Sequence, residues 1–158
     1  MAASERAELI AELSHQARVS TVWTVLLHNA IASRSGINVT DMQCINLLQL
    51  RGPMTPGQLA DAMFLTTGGA ITAVIDRLER AGMVRRRRDD KDRRRVIVEA
   101  LRDGPITELG RRFLPVAEVY EKAMADYSDE ELRVLIRYLT RNNTEISPSV
   151  IERVKGLD

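Results

Sequence analysis

The sequence predicts a mainly helical protein with one small β-hairpin. Apolar residues recur at helical spacing through most of the 158 residues, and Gly or Pro separates these stretches. One short segment differs from the rest because it is strongly basic and ends in the strand-like run Val96-Ile97-Val98. A chain of this length can bury a sizeable core, so we expect a single domain that carries all of these elements.

The first predicted helix extends from Glu5 to about Ser33, and Gly36 ends it. One face of this helix is apolar along its whole length. That face consists of Leu9, Ile10, Leu13, Val19, Val22, Trp23, Leu26 and Ala30. A helix this long at the end of a small chain has more apolar surface than a small domain covers. It packs either across its own domain or against a second subunit.

Two shorter helices follow, and each begins with a predicted capping box, in which the side chains and backbone N–H groups of the first turn bond each other. The two boxes are Thr40 with Gln43 and Thr55 with Gln58. The first of these helices runs to Arg51, and Gly52-Pro53 ends it. The second has Pro56 at its first position and runs to about Met63.

A fourth helix, capped by Thr66 or Thr67, is predicted to end before Gly82, which stands where a C-cap glycine belongs. Its core face is Ile71, Val74, Ile75 and Leu78. The opposite face is small or polar and consists of Gly69, Thr72, Ala73, Asp76 and Arg80, with Arg77 at the flank. Two short helices joined by a tight turn predict a helix-turn-helix, and small residues let the second helix approach base edges closely.

The segment after this helix concentrates positive charge. Residues 82–95 hold eight of the 23 Lys and Arg residues beside three Asp, a net charge of about +5, whereas the rest of the chain carries about −4. We predict strands over Met83–Arg86 and Arg95–Leu101, with a charged tip over Arg87–Arg94 between them. A basic hairpin after a helix-turn-helix predicts a winged helix that attracts DNA phosphates. The alternative is a solvated loop or a disordered basic tail, but the segment is internal, which argues against a tail.

The C-terminal third is predicted to be helical. Its apolar stripe is Ile106, Leu109, Phe113, Val116, Ala117, Tyr120, Met124 and Tyr127. Pro115 lies inside this stripe and is expected to kink the helix. A capping box of Ser128 and Glu131 opens the next helix, which is predicted to end at Asn142-Asn143. A short final helix is expected over residues 148–155.

Composition and spacing exclude several function classes. Aromatic residues make up 4 % of the chain, too few for a base-stacking platform that binds single strands. One Cys and two His offer neither a disulfide nor a metal site. No nucleophile–base pair is found, and Gly68-Gly69 lacks the Lys and strand context of a phosphate loop, so we expect neither an enzyme nor a cofactor. With no apolar run of membrane-spanning length and no signal peptide, we expect a cytoplasmic protein.

Four stretches form a pattern that is more specific than a helix-turn-helix alone. They are Thr55-Pro-Gly-Gln-Leu-Ala, Gly69-Ala-Ile-Thr, Asp76-Arg-Leu-Glu-Arg-Ala-Gly82-Met-Val-Arg-Arg86 and Asp89-Asp-Lys-Asp-Arg-Arg94. Over residues 40–101 the chain resembles the DNA-binding core of the MarR family of bacterial winged helix-turn-helix transcriptional regulators. The resemblance implies a homodimer, in which helices 5–34 and 105–155 interlace with those of a second chain. The two 40–101 lobes would then read a near-palindromic DNA operator.

The resemblance also implies roles for single residues. Arg94 would insert into the minor groove, Asp92 would steady an arginine through a salt bridge, and Thr72 would read bases. Arg77 and Arg86 would contact phosphate or brace the wing. The remaining expected DNA contacts are Thr67, Gly69, Ala73, Arg88 and Arg93. Ala73 stands where many family members have an arginine, so one base contact is missing and the operator sequence cannot be transferred.

Three further residues have two interpretations each. Trp23 and His28 could line a pocket for a small effector, as family members bind phenolic or lipophilic anions. Alternatively, Trp23 lies in the dimer core and His28 is partly exposed, which we favour. Cys44 could sense peroxide, as in some relatives, or serve as a small buried apolar side chain, which we favour.

The function predicted from all of this is a sequence-specific regulator that binds double-stranded DNA as a homodimer. We expect a repressor that a small-molecule ligand releases from its operator. The alternative is a winged-helix protein-interaction module that uses the basic wing to dock an acidic partner.

Overall fold

A computed structural model describes residues 2–65 and 68–156, and within them the fold is mainly helical with one antiparallel hairpin. The elements are α1 (Ala2–Arg34), α2 (Val39–Arg51), α3 (Pro56–Ala62), α4 (Gly68–Arg80), β1 (Val84–Arg88), β2 (Val96–Ala100), α5 (Pro105–Arg111), α6 (Leu114–Met124), α7 (Asp129–Arg141), a π-helical turn (Asn142–Ile146) and α8 (Ser147–Lys155). The predicted fold class is confirmed. None of the described helices is long and apolar enough to cross a membrane.

The chain divides into two compact units, Met1–Phe113 and Leu114–Asp158. The core of the first unit is built by α2, α3, α4 and the hairpin. Its most deeply buried side chains are Met42, Cys44, Ile45, Leu59, Ile75, Leu78, Val84 and Val98. The apolar face predicted for the fourth helix is buried throughout, because the helical spacing turns all four of its residues to the same side.

The hairpin follows α4 through a reversal at Gly82. Gly82 has φ +67, and the Met83 N–H donates to the Leu78 carbonyl at 2.9 Å, which is the bond pattern of a glycine C-cap. The strands pair from Val84 opposite Ala100 to Arg88 opposite Val96. The first strand therefore begins one residue later and ends two residues later than predicted, and the tip is confined to residues 89–95. Met54 and Val98 exchange two backbone hydrogen bonds, of 3.0 and 2.7 Å. They form an isolated antiparallel bridge on the open side of β2.

Two helix starts agree with the predicted capping boxes, and one does not. The boxes Thr55–Gln58 and Ser128–Glu131 are present. The helix predicted to start at Thr40 begins at Val39 instead, and Asn38 and Asp41 form its box. Asn38 Oδ1 accepts the Asp41 N–H at 2.8 Å, and Asp41 Oδ2 accepts the Asn38 N–H at 3.2 Å. The starts predicted at Thr66 or Thr67 lie outside the described residues.

The C-terminal helices differ from the prediction at two points. The helix with Pro115 is interrupted rather than kinked: α5 ends at Arg111, and Pro115 stands at the second position of α6. Proline is tolerated at a helix start, where its missing N–H has no intrahelical partner. At the other point, Asn142-Asn143 does not end a helix, because a π-helical turn connects α7 to α8.

Long apolar faces of the described helices are exposed in the single chain. Among the side chains of α1 whose burial the structure describes, Ile31 and Ala32 at its C-terminal end are the buried ones, whereas Trp23 remains 67 % exposed. Within the second unit, α6, α7 and α8 have no buried residue. Their exposed large apolar side chains are Leu114, Val119, Tyr120, Val134, Leu135, Ile136, Tyr138, Leu139, Val150, Ile151 and Val154.

Candidate nucleic-acid interface

The exposed face of α4 is the first part of the candidate interface. Gly69, Thr72, Ala73 and Arg80 are all exposed on it. The Thr72 hydroxyl donates to the Gly68 carbonyl at 2.9 Å, so its oxygen remains available as an acceptor. Thr67 lies outside the described residues. This face carries only small or flexible side chains, which is what close approach to a DNA groove requires.

Arg77 is directed away from this face and toward α2. Its Nη2 lies 2.7 Å from Asp41 Oδ1 and its Nε 3.2 Å from Asp41 Oδ2, so the two groups form a bidentate ion pair. The Asp41 carboxylate is almost fully buried, and its hydrogen bond to Arg77 raises the arginine's pKa. The Arg77 guanidinium, expected to contact phosphate or to brace the wing, is thus engaged in an ion pair with α2.

Arg86 connects the hairpin to α4. Its guanidinium pairs with both Asp76 and Glu79, and its backbone N–H donates to Glu79 Oε1 at 2.9 Å. These bonds raise the pKa of Arg86 against the opposing effect of partial burial. Arg80 Nε donates to the backbone carbonyl of Asp76 at 3.2 Å and leaves the Asp76 carboxylate to Arg86. Because the reversal at Gly82 brings β1 back over the last turns of α4, Arg86 reaches Asp76. Of the two roles expected for Arg86, the geometry agrees with bracing the wing.

The other arginines at the base of the hairpin, Arg85 and Arg87, are also paired with carboxylates. Glu99 accepts from Arg85 at 2.6 Å and from Arg87 at 2.8 Å, and Arg87 also pairs with Asp90 at 3.0 Å. The hydrogen bond from Arg87, followed by the one from Arg85, lowers the pKa of Glu99. Three of the four consecutive arginines in β1 are thus neutralised by carboxylates.

The tip of the hairpin keeps its positive charge. Arg88, Arg93 and Arg94 are exposed, as are Lys91 and Arg95, and none of these five forms an ion pair with another described residue. The cation-binding role expected of Asp92 is not observed: its Oδ1 accepts the backbone N–H of Arg94 at 3.0 Å, and its carbonyl accepts the N–H of Arg95 at 2.9 Å. An aspartate in a tight turn bonds the backbone two residues ahead, so Asp92 shapes the tip's main chain instead.

Among the carboxylates that pair with these arginines, Asp41, Glu79 and Glu99 were given no role in the prediction from sequence. Asp41 could have been noticed as a charged residue one and two helical turns before Ile45 and Leu48 on the apolar face of α2. Glu99 could have been noticed from the alternation of its strand, which places it opposite Arg85. No sequence pattern predicts the role of Glu79, because its pairing with Arg86 depends on how the chain reverses after α4.

The remaining candidate residues lie on α1 and α2. The His28 ring is half-buried and meets Phe113 edge-on, with ring centroids 5.9 Å apart, whereas Trp23 is exposed. A cavity of about 580 Å³ in the same unit is lined by other residues, at the end of α2 and the base of the hairpin. Cys44 is buried, and burial followed by the nearby Asp41 charge raises its thiol pKa to about 11. This burial agrees with the structural interpretation of Cys44.

Comparison with known proteins identifies the family. The family model described as "MarR family" matches residues 35–95. The HTH-type transcriptional regulator YcgE of Bacillus subtilis is 36 % identical over 132 residues, which cover 84 % of each chain. A MarR family protein from Bacillus stearothermophilus superposes with a TM-score of 0.70 at 24 % identity, over 89 % of this chain and 96 % of that one. Wild-type MarR of E. coli, in its apo form, gives 0.58 at 20 % identity, over 82 % and 94 %. These two structures establish the fold, and the relative that matches most of both chains, together with the family model, shows that the chain belongs to the MarR family of winged helix-turn-helix transcriptional regulators.

Proposed function

We propose that this DNA-binding transcriptional regulator acts as a homodimeric repressor on a near-palindromic operator. In each subunit α4 enters a major groove and the tip of the hairpin reaches the adjacent minor groove. The observation that carries the proposal is the distribution of charge over the hairpin. Carboxylates neutralise the arginines at its base, whereas the tip retains Arg88, Arg93 and Arg94 without an ion-pair partner among the described residues. Unpaired cations at a protruding tip are what a phosphate backbone attracts.

The proposed contacts follow from exposure. Gly69, Thr72 and Ala73 face the bases from the first turns of α4, and the tip arginines face phosphate and the minor groove. Thr67, which lies outside the described residues, is kept as a contact on the family resemblance alone. Arg77 and Arg86 act within the protein, by holding α4 to α2 and to the hairpin. Asp92 sets the main-chain shape of the tip through its bond to the Arg94 N–H.

A second copy of the chain is the proposed partner of the exposed apolar helices. In this proposal residues 5–34 and 105–155 form the dimer interface, and each lobe over 40–101 reads one half-site. Large apolar patches rarely stay exposed on a soluble monomer, and α1, α6, α7 and α8 all carry them. Two lobes related by a two-fold axis would read half-sites spaced about 10 bp apart.

Regulation would act on the spacing of the two lobes. A small-molecule effector that binds only the DNA-incompetent arrangement would release the operator by a population shift. Trp23 and His28 are the residues proposed to meet it. MarR-family proteins are transcriptional regulators rather than enzymes, and we propose that this chain likewise has no catalytic role. It would act in the cytoplasm, where the chromosome is accessible.

The test compares two arginine variants that change net charge equally. A duplex enriched from a random library by the wild-type protein is titrated by fluorescence anisotropy, at about 50 to 200 mM salt, against an unselected duplex. Arg94→Ala removes one free tip cation per subunit, so the slope of log affinity against log salt should fall by about 1.8 for a dimer. Arg87→Ala removes a cation already paired with Glu99 and Asp90, and the slope should change much less.

Equal slopes for the two variants would contradict the proposed tip contact. A wild-type protein that enriches no sequence would contradict the sequence-specific function. It would favour the alternative, in which the basic hairpin docks an acidic protein.

A further inference from the structure

Asp41 is the one charged residue that the described part of the chain buries, with 1 % relative exposure. It lies in the first turn of α2, among the apolar side chains of the core. A buried carboxylate is costly unless other groups compensate its charge and its hydrogen-bonding capacity. Its contacts therefore indicate why it is tolerated there.

Those contacts come from two directions. Both carboxylate oxygens accept from Arg77 of α4, at 2.7 and 3.2 Å, and Oδ2 also accepts the Asn38 N–H at 3.2 Å. The carboxylate is therefore fixed to the start of its own helix on one side and to the last turn of α4 on the other. The Arg77 side chain remains 39 % exposed, so the pair lies at the edge of the core.

This geometry constrains α4 in a way that apolar packing does not. Side chains such as Ile75 and Leu78 hold α4 against the core, but hydrophobic contacts are non-directional. A planar guanidinium bonded through two nitrogens to one carboxylate has a preferred orientation as well as a preferred distance. Arg77 stands one helical turn after Ala73 and five residues after Thr72, so fixing Arg77 also fixes how the exposed face of α4 is rotated.

We propose that Asp41 is a positioning residue for DNA recognition, which through Arg77 sets the rotation of α4 that presents Thr72 and Ala73 to the bases. The inference rests on the proposed sequence-specific function. To read bases, the contacting side chains must be held to within about 0.5 Å and 10–20° of their productive geometry. The same pair explains why Arg77, on the flank of the DNA-facing helix, acts on recognition without reaching the phosphates.

The variants are chosen to separate positioning from charge and from folding. Asp41→Asn keeps the size of the side chain but replaces one acceptor oxygen by an NH2 group. That group faces a hydrogen-bond donor, Arg77 or the Asn38 N–H, so the two-point hydrogen bond with Arg77 is broken. Arg77→Lys keeps the charge and removes the planar fork. Asp61→Asn is the matched control, because it makes the same charge change at an exposed residue of the neighbouring helix. Circular dichroism defines a temperature at which every variant is folded, and Arg77→Lys carries the test if Asp41→Asn does not fold.

The readout is the ratio of affinities for the selected duplex and an unselected one, together with the salt slope. We expect Asp41→Asn and Arg77→Lys to lower this ratio about tenfold, the value of one well-placed base contact, while the salt slope stays unchanged. Asp61→Asn should keep the wild-type ratio. The combined change Asp41→Asn with Arg77→Lys should be no worse than either single change, since both interrupt one interaction. A purely structural role would lower the folded fraction and leave the ratio intact.

Three outcomes would overturn the inference. An unchanged ratio in both single variants would show that the pair does not position α4. A reduced salt slope for Arg77→Lys, with equal losses on both duplexes, would instead assign Arg77 to phosphate contact. A wild-type protein with no preference between the duplexes would remove the proposed function and this inference with it, and that result appears before any variant is measured.

Discussion

Replacing Gly69 by Ala should stabilise the free protein and weaken its binding to the operator. Gly69 lies in the first turn of α4, where it is exposed, and a Cβ built on it meets no atom within 4 Å. Alanine is preferred over glycine inside a helix by about 1 kcal/mol, which is an upper limit for a first turn. For a chain of this size, such a gain would raise the Tm by about 2–4 °C.

DNA binding should respond in the opposite direction. Gly69 shares the exposed face of α4 with Thr72 and Ala73, which is the face proposed to meet the bases. If the groove closes on this position, the added methyl group must displace an atom of DNA. Overpacking a tight contact by one methyl group costs on the order of 1–3 kcal/mol, so operator affinity should fall by about fivefold or more for each subunit that makes the contact.

Gly82→Ala is the control, because the structure predicts the reverse behaviour. Gly82 has φ +67 at the C-terminal end of α4, and its nearest neighbours to an added Cβ are Pro105 atoms at 3.7 and 3.9 Å, an ordinary contact. The loss is therefore conformational, about 1–2 kcal/mol for a non-glycine residue in the left-handed region. The Tm should fall, whereas the folded protein should bind the operator as the wild type does.

Thermal melts followed by circular dichroism and anisotropy titrations on the selected duplex measure both effects. A Gly69→Ala protein that binds as tightly as the wild type would refute the close approach at this position. A lower Tm for the same variant would refute the helical, open environment on which the estimate depends.

Three further predictions concern other parts of the molecule. Cys44, buried and with its pKa raised to about 11, should react with a thiol reagent at about pH 8 far more slowly in the native chain than in urea, and rapid native labelling would contradict its burial. Glu99→Gln should destabilise the protein at pH 7, and the difference from wild type should shrink as the pH falls below the ordinary range of a glutamate. The folded-state pKa of Glu99 is lowered, so its contribution is present above the unfolded pKa and is lost as pH falls through the folded value. Leu26→Glu, at an α1 position that is 52 % exposed, should halve the mass seen by light scattering, whereas Leu50→Glu on α2 should not. Equal masses for both variants would exclude α1 from the interface.

Most of the element pattern could be predicted from the sequence, since it depends on neighbours within a few residues. The spacing of Ile71, Val74, Ile75 and Leu78 identified the buried face of α4, and Thr55 with Gln58 identified the start of α3. Where several polar residues compete locally, the prediction was wrong. Asn38, Thr40, Asp41 and Gln43 offer two overlapping capping boxes, and the structure uses the earlier one.

The candidate site was predictable in outline only. The helix-turn-helix, the basic hairpin and the resemblance of residues 40–101 to the MarR family follow from the sequence, and the comparisons confirm the family. The roles of individual arginines do not follow from it. Arg77 in α4 and Arg94 at the hairpin tip are both cations expected to meet DNA, yet one binds a buried carboxylate and the other has no ion-pair partner among the described residues.

What the sequence by itself determined is therefore most of the helices, the hairpin and the excess of positive charge on it. What only the tertiary structure decided is which of those charges remain free. The physical reason is the range of the interactions. Helical faces and caps arise from bonds that span three or four residues, whereas Asp41 and Arg77 are 36 residues apart and meet only after α2 and α4 have packed. Whether an arginine such as Arg77 is neutralised depends on this long-range contact, which no local sequence pattern predicts.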